Sequence, residues 1–250
     1  MKLHPSVYEF MRVSAPEHCM HQSEDMKQLP KPSPELPVPE GVRRIALPKP
    51  ADIHIPPVDL LTALENRQSV RKYSDQSLSL EELAFLLWCT QGIKTVDEKA
   101  SFRRNVPSAG ARHAFETYLL VNHVKGVQPG LYRYLASEHC LVEMDLSPDL
   151  PDRLVGACEE QSKIKFSAVS FFWAAVPFRM TWRFSERGYR YLFLDAGHVC
   201  QNLYLAAEAV DCGVCAVAAY NDGLLNAALK LDGEDEFVIY AATLGKKVKE

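Results

Sequence analysis

The stretch "YRYLFLDAGHVCQNLYLAAEAVDCG", residues 189–213, decides the fold because it is the longest segment with the pattern of a buried helix. Its apolar residues recur at steps of three and four, which places them on one face of a helix. The apolar series is Leu192, Ala196, Val199, Leu203, Ala206 and Val210. Gly213 stands where a left-handed cap would end such a helix. The sequence therefore predicts one long helix packed against a larger layer.

The segments around this helix alternate between strands and shorter helices. Strand patterns cover 115–124, 130–145, 167–176, 214–220 and 235–245, with a turn at 128–130. Helical patterns cover 56–65, 77–93, 150–164 and 222–231. Because hairpins and crossovers are mixed in this order, we predict an α+β layer fold rather than a regular doubly wound sheet.

Two of the helix ends carry specific signals. Pro56 and Pro57 open the segment 56–65, and proline suits the first turn of a helix. Ser79 and Glu82 have the spacing of a capping box, which predicts the start of the next helix, and Gly92 predicts its end.

Composition and charge exclude several classes of protein. The chain has 250 residues, 47% of them hydrophobic and 24% charged, which is ordinary for a globular protein. A pI of about 6.1 argues against binding to nucleic acid. The longest mostly apolar run, 166–178, is shorter than the roughly 20 residues of a membrane helix, and the N-terminus lacks the apolar core of a signal peptide. Seven cysteines without framework spacing fit reduced thiols, so we expect a cytoplasmic protein.

Proline content divides the chain into two parts. Residues 1–56 are proline-dense with little helical periodicity, so we predict an extended arm that crosses a surface. Residues 57–250 form the predicted globular domain.

A basic segment, "ENRQSVRKY" at 65–73, follows the first helix of that domain. If the chain is extended there, Arg67, Ser69 and Arg71 point the same way and form a row of donors. Such a row suits a terminal phosphate, with charge-assisted hydrogen bonds of roughly 1.5–3 kcal/mol each. Gln68 belongs to the same candidate site. A solvated basic helix end and a phosphorylation target on a loop are the alternatives.

A tight turn of small residues precedes the strand pattern at 115–124. It consists of Pro107, Ser108, Ala109 and Gly110. Backbone N–H groups in such a turn can approach a flat ligand closely, although the same residues also fit a plain loop. Near the C-terminus, Lys246 and Lys247 follow a strand and a glycine, and by themselves they fit a solvated tail.

Other motifs favour structural roles. Cys212 and Cys215 have CxxC spacing, but they lie after a helix rather than at a helix N-terminus, so we predict structural cysteines. Asp195 and His198 lie one turn apart on the long helix, where a buried hydrogen bond between helices is the favoured interpretation. The chain contains no GxGxxG loop, which excludes a dinucleotide held in the Rossmann manner. We predict no metal site.

Taken together, these motifs resemble the nitroreductase-like flavoprotein superfamily over 57–247. The likeness rests on the R-x-S-x-R row, the P-S-x-G turn, "GLYRY" at 130–134, the long helix, and a late strand that ends in Gly-Lys-Lys. The stretches "RRIALPKP" at 43–50 and "PSAGARH" at 107–113 further resemble the SagB-type dehydrogenases, some of which oxidise azoline rings to azoles in modified peptides.

The resemblance implies a fold and a cofactor. The fold is a central, mostly antiparallel sheet flanked by helices, in an intertwined homodimer with two FMN sites at the interface. The resemblance also implies roles for particular residues. The FMN phosphate and ribityl chain would be held by Arg67, Gln68, Ser69 and Arg71, and the phosphate would be approached from a second side by Lys246 and Lys247. The flavin of the partner would be reached by Pro107, Ser108, Ala109 and Gly110, and flavin N5 would lie near Ala218 and Ala219.

The activity implied is that of an FMN-dependent oxidoreductase. It would transfer hydride to or from a small electron-poor molecule, such as a nitroaromatic or a quinone, or a ring compound, with NAD(P)H as a diffusible reductant. No catalytic residue is assigned. Azoline-to-azole dehydrogenation of a modified peptide and a non-catalytic flavin-binding module are the alternatives.

The sequence departs from these relatives at two places. Azoline oxidases of the SagB branch carry a Lys-Tyr pair where "MTWRFSERGYRY", 180–191, has Arg183 and Phe184. This difference argues against azole formation. Many nitroreductases have a long C-terminal extension that wraps the partner, whereas five residues follow Gly245 here. We therefore expect the proline-rich arm to contact the partner subunit instead.

Overall fold

The computed structural model describes residues 4–19, 23–97 and 102–248. The strands are β1 Arg44–Ala46, β2 Ile93–Val96, β3 Phe102–Arg104, β4 Phe115–Val121, β5 Gly130–Leu135, β6 Cys140–Asp145, β7 Val169–Ala175, β8 Cys212–Val217 and β9 Phe237–Lys246. Seven of them form one sheet in the order β1-β6-β5-β4-β7-β9-β8, and β2 pairs with β3. Every pairing within the large sheet is antiparallel.

Helices cover both faces of this sheet. They are α1 Pro5–Val13, α2 Pro16–Cys19, α3 Leu60–Asn66, α4 Leu80–Gln91, α5 Leu150–Ala157, α6 Lys163–Phe166, α7 Pro177–Phe184, α8 Gly188–Glu208 and α9 Asp222–Leu229. Along β4, Leu119 packs in the cluster that contains α4 and α8, whereas Leu120 packs in the cluster that contains α5 and α9. Both faces are buried, and β7 is apolar except for Ser170, whereas β4 also contains the buried Glu116 and Thr117. The predicted α+β fold with an antiparallel sheet is confirmed.

Helix α8 is the central helix that its sequence pattern predicts, and it contacts α4, α7, β8 and β9. The buried residues of the predicted apolar face are Leu192, Ala196, Val199, Leu203 and Ala206. The prediction for the end of the helix was wrong. The helix ends at Glu208, Asp211 takes the positive φ of 50°, and Gly213 lies inside β8.

Several other predicted boundaries change. Helix α3 begins after Asp59, whose carboxylate accepts from the Thr62 N–H at 3.1 Å, so an aspartate cap replaces the predicted proline start. The segment 130–145 forms two strands, β5 and β6, joined by a hairpin. The segment 150–164 contains α5 and the start of α6, interrupted by positive φ angles at Glu159 and Glu160. The capping box of Ser79 and the helix end at Gly92 are confirmed.

The second half of the proline-rich segment is part of the domain. Strand β1 pairs with β6 at the edge of the sheet, and Leu47 is buried in the main core. The Leu36 N–H donates to the buried Glu116 carboxylate at 2.8 Å, and Arg133 donates to the Pro37 carbonyl at 2.9 Å. Residues 33–48 therefore lie on the body of their own chain. Earlier residues contact it as well, because the Asp25 N–H donates to the Trp182 carbonyl at 2.8 Å and Arg187 donates to the Ser14 carbonyl at 3.2 Å. The predicted extended arm therefore packs on its own chain and includes the helices α1 and α2, whereas its contact with a partner subunit stays a prediction. No helix in the described ranges is long and apolar enough to cross a membrane.

Candidate functional site

Residues 69–74 run along the edge of the sheet and form backbone hydrogen bonds with β8 and with the end of β9. The Val70 N–H donates to the Val214 carbonyl at 2.9 Å, and the Ser74 N–H donates to the Lys246 carbonyl at 3.0 Å. Ser69 is paired in parallel with Val214. The segment that carries the predicted donor row is therefore held against the sheet by backbone hydrogen bonds.

Two glycines allow this close approach. A Cβ at Gly213 would lie 2.4 Å from the Val70 Cβ, and a Cβ at Gly245 would lie 2.7 Å from the Tyr73 Cγ. Both distances are far inside van der Waals contact, so any larger residue would push the segment away from the strands. Tyr73 fixes the segment from within by donating to the Val70 carbonyl at 2.8 Å.

Tyr204 on α8 connects the parts of this site, and the sequence interpretation missed it. Its hydroxyl lies 3.2 Å from the Ser69 Oγ and accepts from the Ala216 N–H at 2.9 Å. The Arg67 guanidinium stands 5.5 Å from the centre of its ring. The one signal in the sequence was a tyrosine among the small and apolar residues of the buried helix face.

The segment and the end of β9 border an open groove of 500 Å³. Its lining consists of Gln68, Ser69, Val70, Arg71, Lys72, Lys247 and Val248. Three cations and a hydroxyl on one concave surface are the donor set that a phosphate monoester requires, so these residues fit the phosphate end of FMN. Arg67 is adjacent, above the Tyr204 ring. The predicted row and Lys247 are brought together here.

Lys246 is not part of this groove. Its side chain is 8% exposed, and its ammonium donates to Glu82 and to the Val210 carbonyl. Strand alternation explains the difference, because successive residues point to opposite sides. Lys247 lies at the rim of the groove and donates to Glu208 at 2.6 Å. The two lysines therefore have different surroundings: Lys246 joins β9 to α4, whereas Lys247 lines the groove and is paired there with Glu208.

The turn at 107–110 is held by α8 and by its own chain. The Ala109 N–H donates to the buried Asp195 carboxylate at 3.2 Å, and the Ser108 Oγ accepts from the His113 N–H at 2.9 Å. Burial raises the pKa of Asp195, and the bonds from Ser108 and Ala109 lower it in part. The predicted hydrogen bond of Asp195 with another helix is corrected: its partner is this turn.

The turn and the groove contact opposite sides of helix α8. Asp195 and Tyr204 are nine residues apart on α8, about two and a half turns and roughly 14 Å, so they project in opposite directions. A ligand in the groove is therefore separated by the helix from Pro107–Gly110 of the same chain.

Arg183 and Phe184 lie directly against the turn. A Cβ at Gly110 would lie 2.8 Å from the Phe184 Cζ and 3.3 Å from the Arg183 Cδ, and Gly110 has a φ of 56°. The Phe184 ring meets Tyr191 edge-on at 4.9 Å. The Tyr191 hydroxyl accepts from Arg187 at 2.9 Å, so this phenol already has a partner.

Ala218 and Ala219 are exposed and follow the end of β8. Ala218 is four residues beyond Val214, about 13 Å along an extended strand. The Ala219 carbonyl accepts from Gln161 at 2.7 Å. The two alanines therefore continue the edge that borders the groove, at a distance from its cationic end.

Sequence comparisons connect this architecture to known proteins. The sequence profile of the Nitroreductase family matches residues 64–246. A Methanocaldococcus jannaschii protein, MJ1384, named as a nitroreductase, is 32% identical over 201 residues, which are 79% of this chain and 98% of that protein. The trifolitoxin-processing protein TfxB of Rhizobium leguminosarum bv. trifolii is 28% identical over 224 residues. That match covers 84% of this chain but 60% of TfxB.

Solved structures share the fold. A structure from Anabaena variabilis, described as a nitroreductase, has a TM-score of 0.68 and 27% identity over 84% of this chain and 42% of its own. The Escherichia coli microcin synthetase McbBCD complex with truncated pro-MccB17 bound has a TM-score of 0.61 and 18% identity, with coverage of 99% and 95%. A Desulfovibrio desulfuricans structure in complex with FMN, also described as a nitroreductase, has a TM-score of 0.54 and 17% identity, with coverage of 78% and 89%.

The family profile spans the groove segment, the turn, the central helix and the last strand. The archaeal relative matches this chain over nearly its own full length. The chain therefore belongs to the nitroreductase family.

Proposed function

We propose that this chain is an FMN-dependent oxidoreductase that acts on a small electron-poor or ring substrate, with NADH or NADPH as the diffusible reductant. The observation that carries the proposal is the groove in which Ser69, Arg71, Lys72 and Lys247 meet. Family membership and the FMN-bound structural neighbour support FMN as the cofactor.

In this proposal the chain binds and positions the cofactor. Arg71 and Lys247 pair with the phosphate, and Ser69 contributes its hydroxyl from a position fixed by Tyr204. The backbone near Ala218 would donate a hydrogen bond close to flavin N5. FMN, when bound, supplies the hydride chemistry, while the protein supplies orientation and electrostatics. Seven unpaired cysteines suit a reducing compartment, so we place the protein in the cytoplasm.

The proposal includes a homodimer in which each subunit completes the site of the other. Because α8 separates the turn at 107–110 from the groove, the turn is better placed to approach the ligand of a second copy. Exposed apolar residues support this arrangement, because an apolar surface of this kind is typical of a protein–protein interface. They lie on α3 and α8, two helices that contact each other. These residues are Leu60, Leu61, Leu64, Phe193 and Leu194.

The activity is tested by following NADH and NADPH consumption by the purified yellow protein with menadione or nitrofurazone as acceptor. An oxidoreductase consumes the reductant steadily, in proportion to acceptor reduced. Bound flavin without any turnover would identify the chain as a binding module. An Arg71→Ala variant reloaded with excess FMN separates loss of cofactor from loss of chemistry.

Peptide azoline dehydrogenation is the second candidate. It is supported by the likeness to TfxB, which is named as a processing protein, and to the McbBCD complex, which holds a peptide precursor. The residues at the turn argue against it. Azoline aromatisation needs a base, and a guanidinium such as that of Arg183 donates hydrogen bonds but has no acceptor and cannot serve as that base. Phe184 has no hydroxyl, and Tyr191 is engaged by Arg187.

An azoline-containing peptide decides between the two candidates. We expect little azole formation by the wild-type protein and a gain in the Arg183→Lys/Phe184→Tyr variant. Robust wild-type turnover that does not change in the variant would show that the reaction or the residues are wrongly assigned.

A further inference from the structure

The turn at 107–110 and the residues after it have an unusual backbone. Gly110, Ala111 and His113 have positive φ angles of 56°, 52° and 47°, although two of them carry a Cβ. Residues with side chains rarely adopt this left-handed region, and they stay in it only where the surrounding structure holds them. Pro107 and Gly110 are nevertheless exposed. Strained backbone at an exposed turn is typical of a site that meets a ligand.

Two contacts hold the turn without attaching it to the central helix. The Ser108 Oγ accepts from the His113 N–H at 2.9 Å. Phe184, at the end of α7, packs against Gly110, where an added Cβ would lie 2.8 Å from the Phe184 Cζ. Both contacts shape the turn, but its position relative to α8 depends on a further residue.

Asp195 supplies the attachment to α8. The residue is 5% exposed, and its Oδ1 accepts from the Ala109 N–H at 3.2 Å. Burial raises its pKa, and the hydrogen bonds from Ser108 and Ala109 act in the opposite direction. A buried carboxylate is unfavourable unless hydrogen bonds compensate it, so an apolar side chain would suit this face of the helix better. The aspartate is therefore explained by the turn that it holds.

We propose that Asp195 is a positioning residue, which holds the turn at 107–110 for contact with the flavin ring bound in the groove of the second copy. This inference rests on the proposed function, which places FMN in that groove and the turn beside the flavin of the partner. Asp195 does not touch the flavin in this arrangement. It acts through the Ala109 N–H and fixes where the backbone of the turn meets the ring.

The first test compares FMN with riboflavin, which has the same ring and no phosphate, by fluorescence titration of the flavin-free protein. Asp195→Ala should weaken the binding of both flavins by roughly tenfold, because the ring is common to them. Lys247→Ala should weaken the binding of FMN alone. Asp195→Asn should stay within about threefold of the wild type, since its amide oxygen can accept from the Ala109 N–H. If Asp195→Ala does not fold, Asp195→Ser replaces it, because its side chain is too short to reach Ala109.

Asn226→Ala is the matched control for a purely structural effect. Asn226 is also mostly buried on its helix, α9, and its Oδ1 accepts from the Val238 N–H at 2.9 Å. This variant should lose stability in urea, as Asp195→Ala does, and keep both flavin affinities. The absorption spectrum of bound FMN should move toward that of free FMN in Asp195→Ala and stay unchanged in Asn226→Ala, because lower stability alone does not alter the surroundings of the ring.

A mixed dimer tests whether the turn acts on the second copy. Chains with Asp195→Ala and with Arg71→Ala are coexpressed with different affinity tags, and the mixed dimer is purified through both tags. One of its sites combines the intact groove of the first chain with the intact turn of the second. We expect that site to bind FMN as tightly as the wild type, which neither parent variant does.

Wild-type affinities of Asp195→Ala for both flavins, a loss for FMN alone, or a mixed dimer without a restored site would overturn the inference. The wild-type titration separates this failure from failure of the proposed function. A wild-type protein that binds neither flavin contradicts the FMN proposal and the role of Asp195 together. Wild-type binding of FMN with unchanged binding in Asp195→Ala contradicts the role of Asp195 alone.

Discussion

The Tyr204 hydroxyl lies 3.2 Å from the Ser69 Oγ, and this contact joins the central helix to the edge of the candidate cofactor groove. Tyr204→Phe removes the hydroxyl and leaves the Ala216 N–H without its partner. We expect a loss of about 1 kcal/mol in the free energy of unfolding and a weaker hold on FMN. Tyr220→Phe is the matched control, because its hydroxyl donates to the Val238 carbonyl away from the groove. Urea unfolding and the flavin-to-protein ratio measure both effects, and equal flavin content in the two variants would contradict the role of Tyr204.

The cationic residues of the groove should contribute directly to cofactor affinity. Arg67→Ala, Arg71→Ala and Lys247→Ala are each expected to weaken FMN binding by roughly 1.5–3 kcal/mol, because each removes a charge-assisted contact. Fluorescence titration of flavin-free protein with FMN measures this change.

Lys246→Ala is a control for these three variants, because Lys246 lies next to Lys247 in the sequence but outside the groove. It leaves the partly buried Glu82 without its ion pair, so its main effect should be on the free energy of unfolding rather than on the FMN dissociation constant. If Lys246→Ala weakened FMN binding at unchanged stability while Lys247→Ala had no effect, the assignment of the two lysines would be reversed.

Gly213→Ala should displace the groove segment. The new Cβ would lie 2.4 Å from the Val70 Cβ, and neither strand nor segment has room to move without losing the backbone bond to Val214. We expect loss of bound flavin together with reduced stability. In Gly156→Ala, on α5, the nearest atom is 3.6 Å away at the end of the flexible Glu160 side chain. That control should be neutral or more stable by about 0.5–1 kcal/mol.

Acid should destabilise the fold through His113. Burial, followed by the nearby Arg104 and Arg112, lowers its pKa to about 3, whereas a histidine in the unfolded chain titrates near 6.5. The unfolded chain therefore binds the proton first. Stability that is fully present above pH 6.5 is lost toward pH 3, by about 1.4 kcal/mol for each pH unit. Urea unfolding at pH 7.5 and 5.5 measures the slope.

His113→Gln should flatten this pH dependence, and His54→Gln, at a highly exposed position, should leave it unchanged. His139 adds a contribution of the same sign, because burial lowers its pKa, although the hydrogen bond with the Pro48 carbonyl acts in the opposite direction. An identical slope in the wild type and in His113→Gln would mean that His113 is not held neutral in the folded state.

The sequence predicts the helices and strands better than it predicts the contacts between them. The apolar period of α8 and the capping box at Ser79 depend on local spacing, and both are confirmed. Gly213 was misread as a helix cap because its requirement for a small residue comes from Val70, more than a hundred positions away. Asp195 was paired with the wrong element for the same reason. Contacts of this kind depend on tertiary packing, which a local pattern does not contain.

The residues of the candidate site also fall into those that local sequence predicts and those that only tertiary packing determines. The segment 67–71 could be located from its local sequence. The structure places Gln68, Ser69 and Arg71 on the lining of the groove and Arg67 beside the Tyr204 ring, and their role toward a ligand stays a prediction. Lys246 and Lys247 could not be separated, since the strand phase at the end of β9 decides which side chain is buried. Tyr204 was missed because nothing in its local sequence distinguishes a core residue from one that borders a cavity.

The identity and location of the cofactor test the central claim most directly. The purified protein is heated to release its cofactor, which is identified by mass spectrometry, while sedimentation of the unheated sample gives the mass of the flavin-bound species. We expect one FMN per chain, absorbance near 450 nm as for free flavin, and a dimer at micromolar concentration. Release of FAD, absence of any flavin after reconstitution with FMN, or a flavin-loaded monomer would contradict the account.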